Sequence, residues 1–115
     1  MIIEDVIESL NNHIETKRLE NGIKKDIGHL VLQKEILPHP TFKVYKNYRY
    51  TLWFIKNKKS YQVISFQQSH KVLKENEDDV TKKVNITFIE LIFNWINSSS
   101  YEEVINGNYA KYSNE

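Results

Sequence analysis

Apolar residues recur every three or four positions at the start of the chain. Ile3, Val6, Ile7, Leu10 and Ile14 share one stripe, and the spacing predicts an amphipathic helix over residues 2–20. Glu4, Asp5 and Glu8 complement its positive N-terminal end, Lys17 and Arg18 its C-terminal end, and Asn21-Gly22 supplies a stop. The period then shortens. "IGHLVLQKEIL" reads as a strand that ends at Pro38-His39-Pro40, because proline cannot donate to a ladder. Three more strands are expected at 41–46, 49–56 and 61–68, with "KNY" and "NKKS" as hairpin turns. Residues 69–79 suggest no element. Helical spacing returns in Val84, Phe88, Leu91, Ile92, Trp95 and Ile96, which mark a second helix over about 80–97. "SSYEEVING" reads as a short third helix, with Ser100 and Glu103 as a capping box and Gly107 as the C-terminal cap.

These elements predict one α+β domain over residues 1–108, with a frayed tail at 109–115. An antiparallel meander of three to four strands is flanked by an N-terminal and a C-terminal helix, plus the short C-terminal helix, and an open sheet needs at least one face covered. Register then sorts the side chains. A three-residue loop at 46–48 pairs Val44 with Tyr50 and Phe42 with Leu52; the second hairpin pairs Phe54 with Ile64 and Leu52 with Phe66. One face then collects Phe42, Val44, Tyr50, Leu52, Phe54, Ile64 and Phe66 as core. Leu10, Ile14, Phe88, Leu91, Ile92 and Trp95 are expected to be buried with them. The other face carries Lys43, Tyr45, Arg49, Thr51, Trp53, Ile55, Tyr61 and Val63. Tyrosine, tryptophan and arginine are enriched at binding hot spots, since each joins a large contact area to a polar tip. Two dispositions fit this mixed face. It is open to a partner, or it is covered by the second helix or the acidic segment before it, with Trp53 buried inside the molecule.

Composition narrows the function. The 115 residues are 40% hydrophobic and 27% charged, which is ordinary for a folded domain. Net charge is only +1, yet no acidic residue lies between Glu35 and Glu75, an interval that holds Lys43, Lys46, Arg49, Lys56, Lys58, Lys59, Lys71 and Lys74. A basic middle with acidic flanks favours an acidic partner. Without cysteine there is no disulfide, thiol catalysis or thiolate metal site. His13, His29, His39 and His70 lack ligand spacing, "ENEDD" lacks the alternation and glycine of a calcium loop, and Glu4/Glu8 and Glu102/Glu103 sit where helix starts favour acids. No catalytic set emerges, so a non-enzymatic protein without metal or organic cofactor is expected. "MIIEDVIESL" has no cationic leader segment, and "FIELIFNWI" is far shorter than the roughly 18 residues of a membrane span, so a cytoplasmic protein with no membrane partner is expected.

Two binding functions remain. Lysine-rich strands with interleaved aromatics suit nucleic acid, on which bases stack while lysines track phosphates. The helix–strands–helix order is similar, in topology alone, to the double-stranded-RNA-binding domain, but "DDVTKKVN" enters the second helix acidic where that domain is lysine-rich. For a protein partner, the chain resembles toxin-immunity proteins and phage-borne anti-defence inhibitors, small anti-CRISPR proteins among them, in size and layout rather than in any motif. Its lysine-, asparagine- and isoleucine-rich composition is what an AT-rich bacterial or phage genome encodes. That resemblance implies a stoichiometric inhibitor or neutraliser. The expected site is Lys43, Tyr45, Arg49, Trp53 and Tyr61 with the basic turn of Lys56, Lys58 and Lys59, free of local acids and facing an acidic, partly apolar partner surface.

Overall fold

The computed structural model describes residues 2–107, and the tail expected at 109–115 lies outside them. In chain order the elements are α1 (Ile3–Glu20), β1 (His29–Pro38), β2 (Tyr45–Lys56), β3 (Lys59–Lys71), α2 (Glu77–Ile96) and α3 (Ser99–Asn106). The strands form one antiparallel sheet in the order β1-β2-β3. This is the expected α+β architecture, in its three-stranded form.

No separate strand forms over the expected 41–46: residues 41–44 are not extended, and Tyr45 and Lys46 open β2. The Nδ1 atom of His39 accepts the backbone N–H groups of Thr41 and Phe42, each at 3.1 Å, and the Tyr45 N–H closes onto the Phe42 carbonyl at 3.1 Å. These bonds fold residues 39–45 into a turn just after Pro40. β2 then runs unbroken through the expected "KNY" loop, which offers no glycine to reverse the chain. Phe42 and Val44, expected in the core, are therefore surface residues at 58% and 42% exposure. β1 takes their place beside β2, pairing Leu30 with Phe54, Leu32 with Leu52 and Ile36 with Tyr48.

The second hairpin turns on Asn57 and Lys58 alone, both left-handed at φ 52° and 66°, as a mirror-type two-residue turn requires. Leu52 pairs with Ile64 and Trp53 with Gln62, so Val63 is an extra residue in β3. That bulge exchanges faces. Odd-numbered Tyr61 falls opposite even-numbered Phe54, while Ile64 and Phe66 stay on the face of Leu52 and Tyr50.

All three helices contribute to the core beneath this face. Tyr50 meets Phe66 and Phe88 edge-on at 6.2 and 5.5 Å, and its hydroxyl donates to Asn85 Oδ1 at 2.6 Å. Asn11 docks α1 on β1: its Nδ2 donates to the Leu30 carbonyl at 3.1 Å, and its Oδ1 accepts the Leu30 N–H at 2.6 Å. Arg18, expected at the helix end as a dipole complement, is instead buried at 1% exposure. Its guanidinium donates to the carbonyls of Val104 and Asp26 and lies 5.3 Å from the Phe54 ring centre. Of the residues expected to be buried in the helices and central strand, Leu10, Ile14, Leu52, Phe54, Phe88, Ile92 and Trp95 are, whereas Leu91, like Phe66, is half-buried. The cap of α3 is Ser98 rather than Ser100: its Oγ accepts the Tyr101 N–H at 3.4 Å, while Ser100 Oγ accepts from Trp95 Nε1 at 2.9 Å. Gly107 is the left-handed C-terminal cap, as its position implied.

Candidate functional site

Alternation along β2 decides which side chains face a partner. Tyr48, Tyr50, Leu52 and Phe54 are buried against the helices. Asn47, Arg49, Thr51, Trp53 and Ile55 therefore point to the opposite side, beside Gln33 and Glu35 of β1 and Ser65, Gln67 and Ser69 of β3. The polar contacts on that side stay within the sheet. Trp53 Nε1 donates to Gln33 Oε1 at 2.9 Å, Ser69 bonds Asn47, and Arg49 lies 4.0 Å from Glu35, its cross-strand partner. No described helix crosses this face, and Trp53 is partly exposed there beside buried Thr51.

The expected site residues separate into three places. Arg49 and Trp53 occupy the middle of the open face. Tyr45 starts the same strand, and Lys43 stands in the preceding turn. Lys56, Lys58 and Lys59 cluster at the opposite end, about 36 Å away along β2 at about 3.3 Å per residue. Tyr61 does not belong to the site. The bulge at Val63 turns it to the helix side, where it is 7% exposed and opposite Phe54. Arg49 is not free of acids either, since β1 rather than residues 41–46 is its neighbour and brings Glu35 across from it.

Two features have no counterpart in the expected site. At the Tyr45 end, the rings of His39, Phe42 and Tyr45 cluster with centroids 5.3 to 6.0 Å apart, an exposed aromatic corner built by the turn that replaces the missing strand. On the other side of the molecule, Val6 and Leu10 of α1 and Phe93 and Ile96 of α2 line an open groove of about 430 Å³. The sequence signal for the groove is the apolar pair Phe93 and Ile96 on α2, which flanks the stripe that enters the core.

Charge is divided between the two layers. The helices carry eleven carboxylates against four cations, and the strands six cations against one carboxylate. Among the described residues, no group of three or more histidines and carboxylates converges as a metal site. Displaced titrations occur on the helix-covered side. Burial, and then Lys83, lowers His70; burial, and then Tyr48 and Glu4, raises Tyr50; the hydrogen bond from Lys34 lowers Glu4. No protein-family model, curated protein or solved structure matches the chain, and no described helix is long and apolar enough to cross a membrane.

Proposed function

We propose that the protein acts by occupancy rather than chemistry, binding a protein partner stoichiometrically through the open face of its sheet and so inhibiting or neutralising it. The observation that supports this is a sheet face that no described helix crosses, with partly exposed Trp53 and exposed Arg49 at its middle, where hot-spot residues of an interface concentrate. A standard interface of about 800 Å² per partner is about 30 Å across. A partner centred on Arg49 and Trp53 therefore covers the middle of β2 and ends just short of Tyr45 on one side and the 56–59 turn on the other. The cation-rich strands suit an acidic, partly apolar surface, with charge governing the encounter rate and the rings governing dissociation. Toxin-immunity proteins and phage anti-defence inhibitors work in this manner, and this is the class of activity proposed for the chain.

The test is affinity isolation from the source cell after nuclease treatment, with wild type, Trp53→Ala and Arg49→Glu side by side. Expected is one protein retained in equimolar amount by wild type, lost with Trp53→Ala and weakened with Arg49→Glu, most at low salt. Retention unchanged by both substitutions would move the site off the sheet. Retention abolished by nuclease would replace the protein partner with nucleic acid.

A further inference from the structure

The two edges of the sheet are not treated alike. On β1, Asn11 engages both the N–H and the carbonyl of Leu30, Lys34 and Glu35 place charge in mid-strand, and Pro38 closes the end. Those are the devices by which proteins blunt a free strand edge. Between its terminal lysines β3 has the one-residue bulge at Val63 and no charge, proline or side-chain cover of its main chain. Residues 60–70, "SYQVISFQQSH", contain no lysine, arginine, carboxylate, proline or glycine. Among the described residues, no main-chain group of residues 62–70 hydrogen-bonds beyond the β2–β3 ladder. The inward side chains of this strand are also incompletely covered: Ile64 and Phe66 pack on the core but remain half-buried at its margin.

We infer that the β3 edge pairs with the same edge of a second copy, joining two three-stranded sheets into one of six strands. The occupant follows from self-complementarity. An antiparallel pairing about a two-fold axis through Ser65 sets Ile64 of one copy opposite Phe66 of the other, twice, on the helix-covered side. Both are residues whose burial the monomer leaves unfinished. The same register sets Ser65 against its own equivalent, and no lysine, arginine or carboxylate lies between Ser60 and His70, so no charge is buried in the middle. Past Val63 the bulge shifts the register by one, and at each margin Lys71 comes to the second copy's turn of Lys58 and Lys59, a like-charge contact. The dimer is therefore expected to tighten as salt rises, opposite in sign to an acidic partner on the sheet face.

Sedimentation equilibrium on the purified chain tests the pairing from about 1 to 500 µM, at low and high salt. A monomer–dimer equilibrium that strengthens with salt is expected. Ser65→Lys, an exposed position on the outer face, places two cations together at the axis and should weaken association at least tenfold, whereas Ser65→Thr should not. Lys71→Glu puts a carboxylate beside the second copy's turn of Lys58 and Lys59 and should strengthen it and reverse the salt dependence. A monomer throughout the range, or a dimer indifferent to Ser65→Lys and Lys71→Glu, overturns the inference. Circular dichroism of each variant separates weakened pairing from unfolding.

Discussion

One methyl group added at Gly28 tests how the chain enters the sheet. Gly28 has φ +81°, and a Cβ there would stand 2.5 to 2.8 Å from three ring atoms of Phe54. Phe54 is 1% exposed and has the Arg18 guanidinium over its ring, so it has little room to retreat. The left-handed backbone alone costs a residue with a Cβ about 1–2 kcal/mol. Forcing an extra carbon into a filled core costs about 1–3 kcal/mol more. Gly28→Ala should therefore lose about 2–5 kcal/mol. Gly22 provides the control, because its φ is +86° and nothing lies within 4 Å of its added Cβ. Gly22→Ala should lose only the backbone contribution of about 1–2 kcal/mol. Urea unfolding followed by tryptophan fluorescence measures both, and adding Phe54→Leu to Gly28→Ala should cost less than the two changes summed. Equal losses at the two glycines, or strict additivity with Phe54→Leu, would show that residues 23–28 do not lie over the Phe54 ring.

The facing of β2 predicts that Leu52→Ala costs about 2–5 kcal/mol and neighbouring Trp53→Ala about 1 kcal/mol; similar losses in urea melts would contradict the assignment of faces. The Tyr48 hydroxyl is buried with no hydrogen-bond partner among the described residues, so Tyr48→Phe should be neutral or stabilising, by up to about 1–3 kcal/mol, and a clear loss would reveal a partner. His70 has its folded-state pKa lowered by burial and by Lys83, so the unfolded chain binds the proton more readily. Its contribution is then complete above about pH 6.5 and falls as pH drops from there through the folded value. Denaturation from pH 7.5 to 5 should show wild type losing more stability than His70→Gln, and parallel profiles would refute it.

The helices were legible because their burial is periodic. The stripe from Ile3 to Ile14 and the one from Val84 to Trp95 each have a single solution at 3.6 residues per turn. The missing strand was not, because Phe42 and Val44 alternate with polar residues as a strand would. What excludes it is a side-chain acceptor, His39 Nδ1, holding two backbone N–H groups, and composition carries no trace of that geometry. Tyr61 was misplaced by a local event. Lys58 adopts a left-handed conformation that glycine usually signals, and the one-residue bulge at Val63 then inverts every face assignment between it and the turn. Glu35 was legible as an acid but not as the neighbour of Arg49, since that pairing depends on the chain returning beside β1 after thirteen intervening residues. Within the candidate site, Arg49 and Trp53 were identified because alternation about Leu52 and Phe54 fixes their side whichever strand lies next to them. The aromatic corner and the edge properties of β3 emerge only once the turn and the ladder are known.

The open sheet face as a partner-binding surface is tested most directly by calorimetric titration of the isolated partner with wild type and Trp53→Ala, each first shown by its urea midpoint to be folded. Trp53→Ala should raise Kd about 30-fold, equivalent to about 2 kcal/mol, while the folded state persists. An unchanged Kd for a folded Trp53→Ala protein would contradict the claim and place the interface on another surface of the molecule.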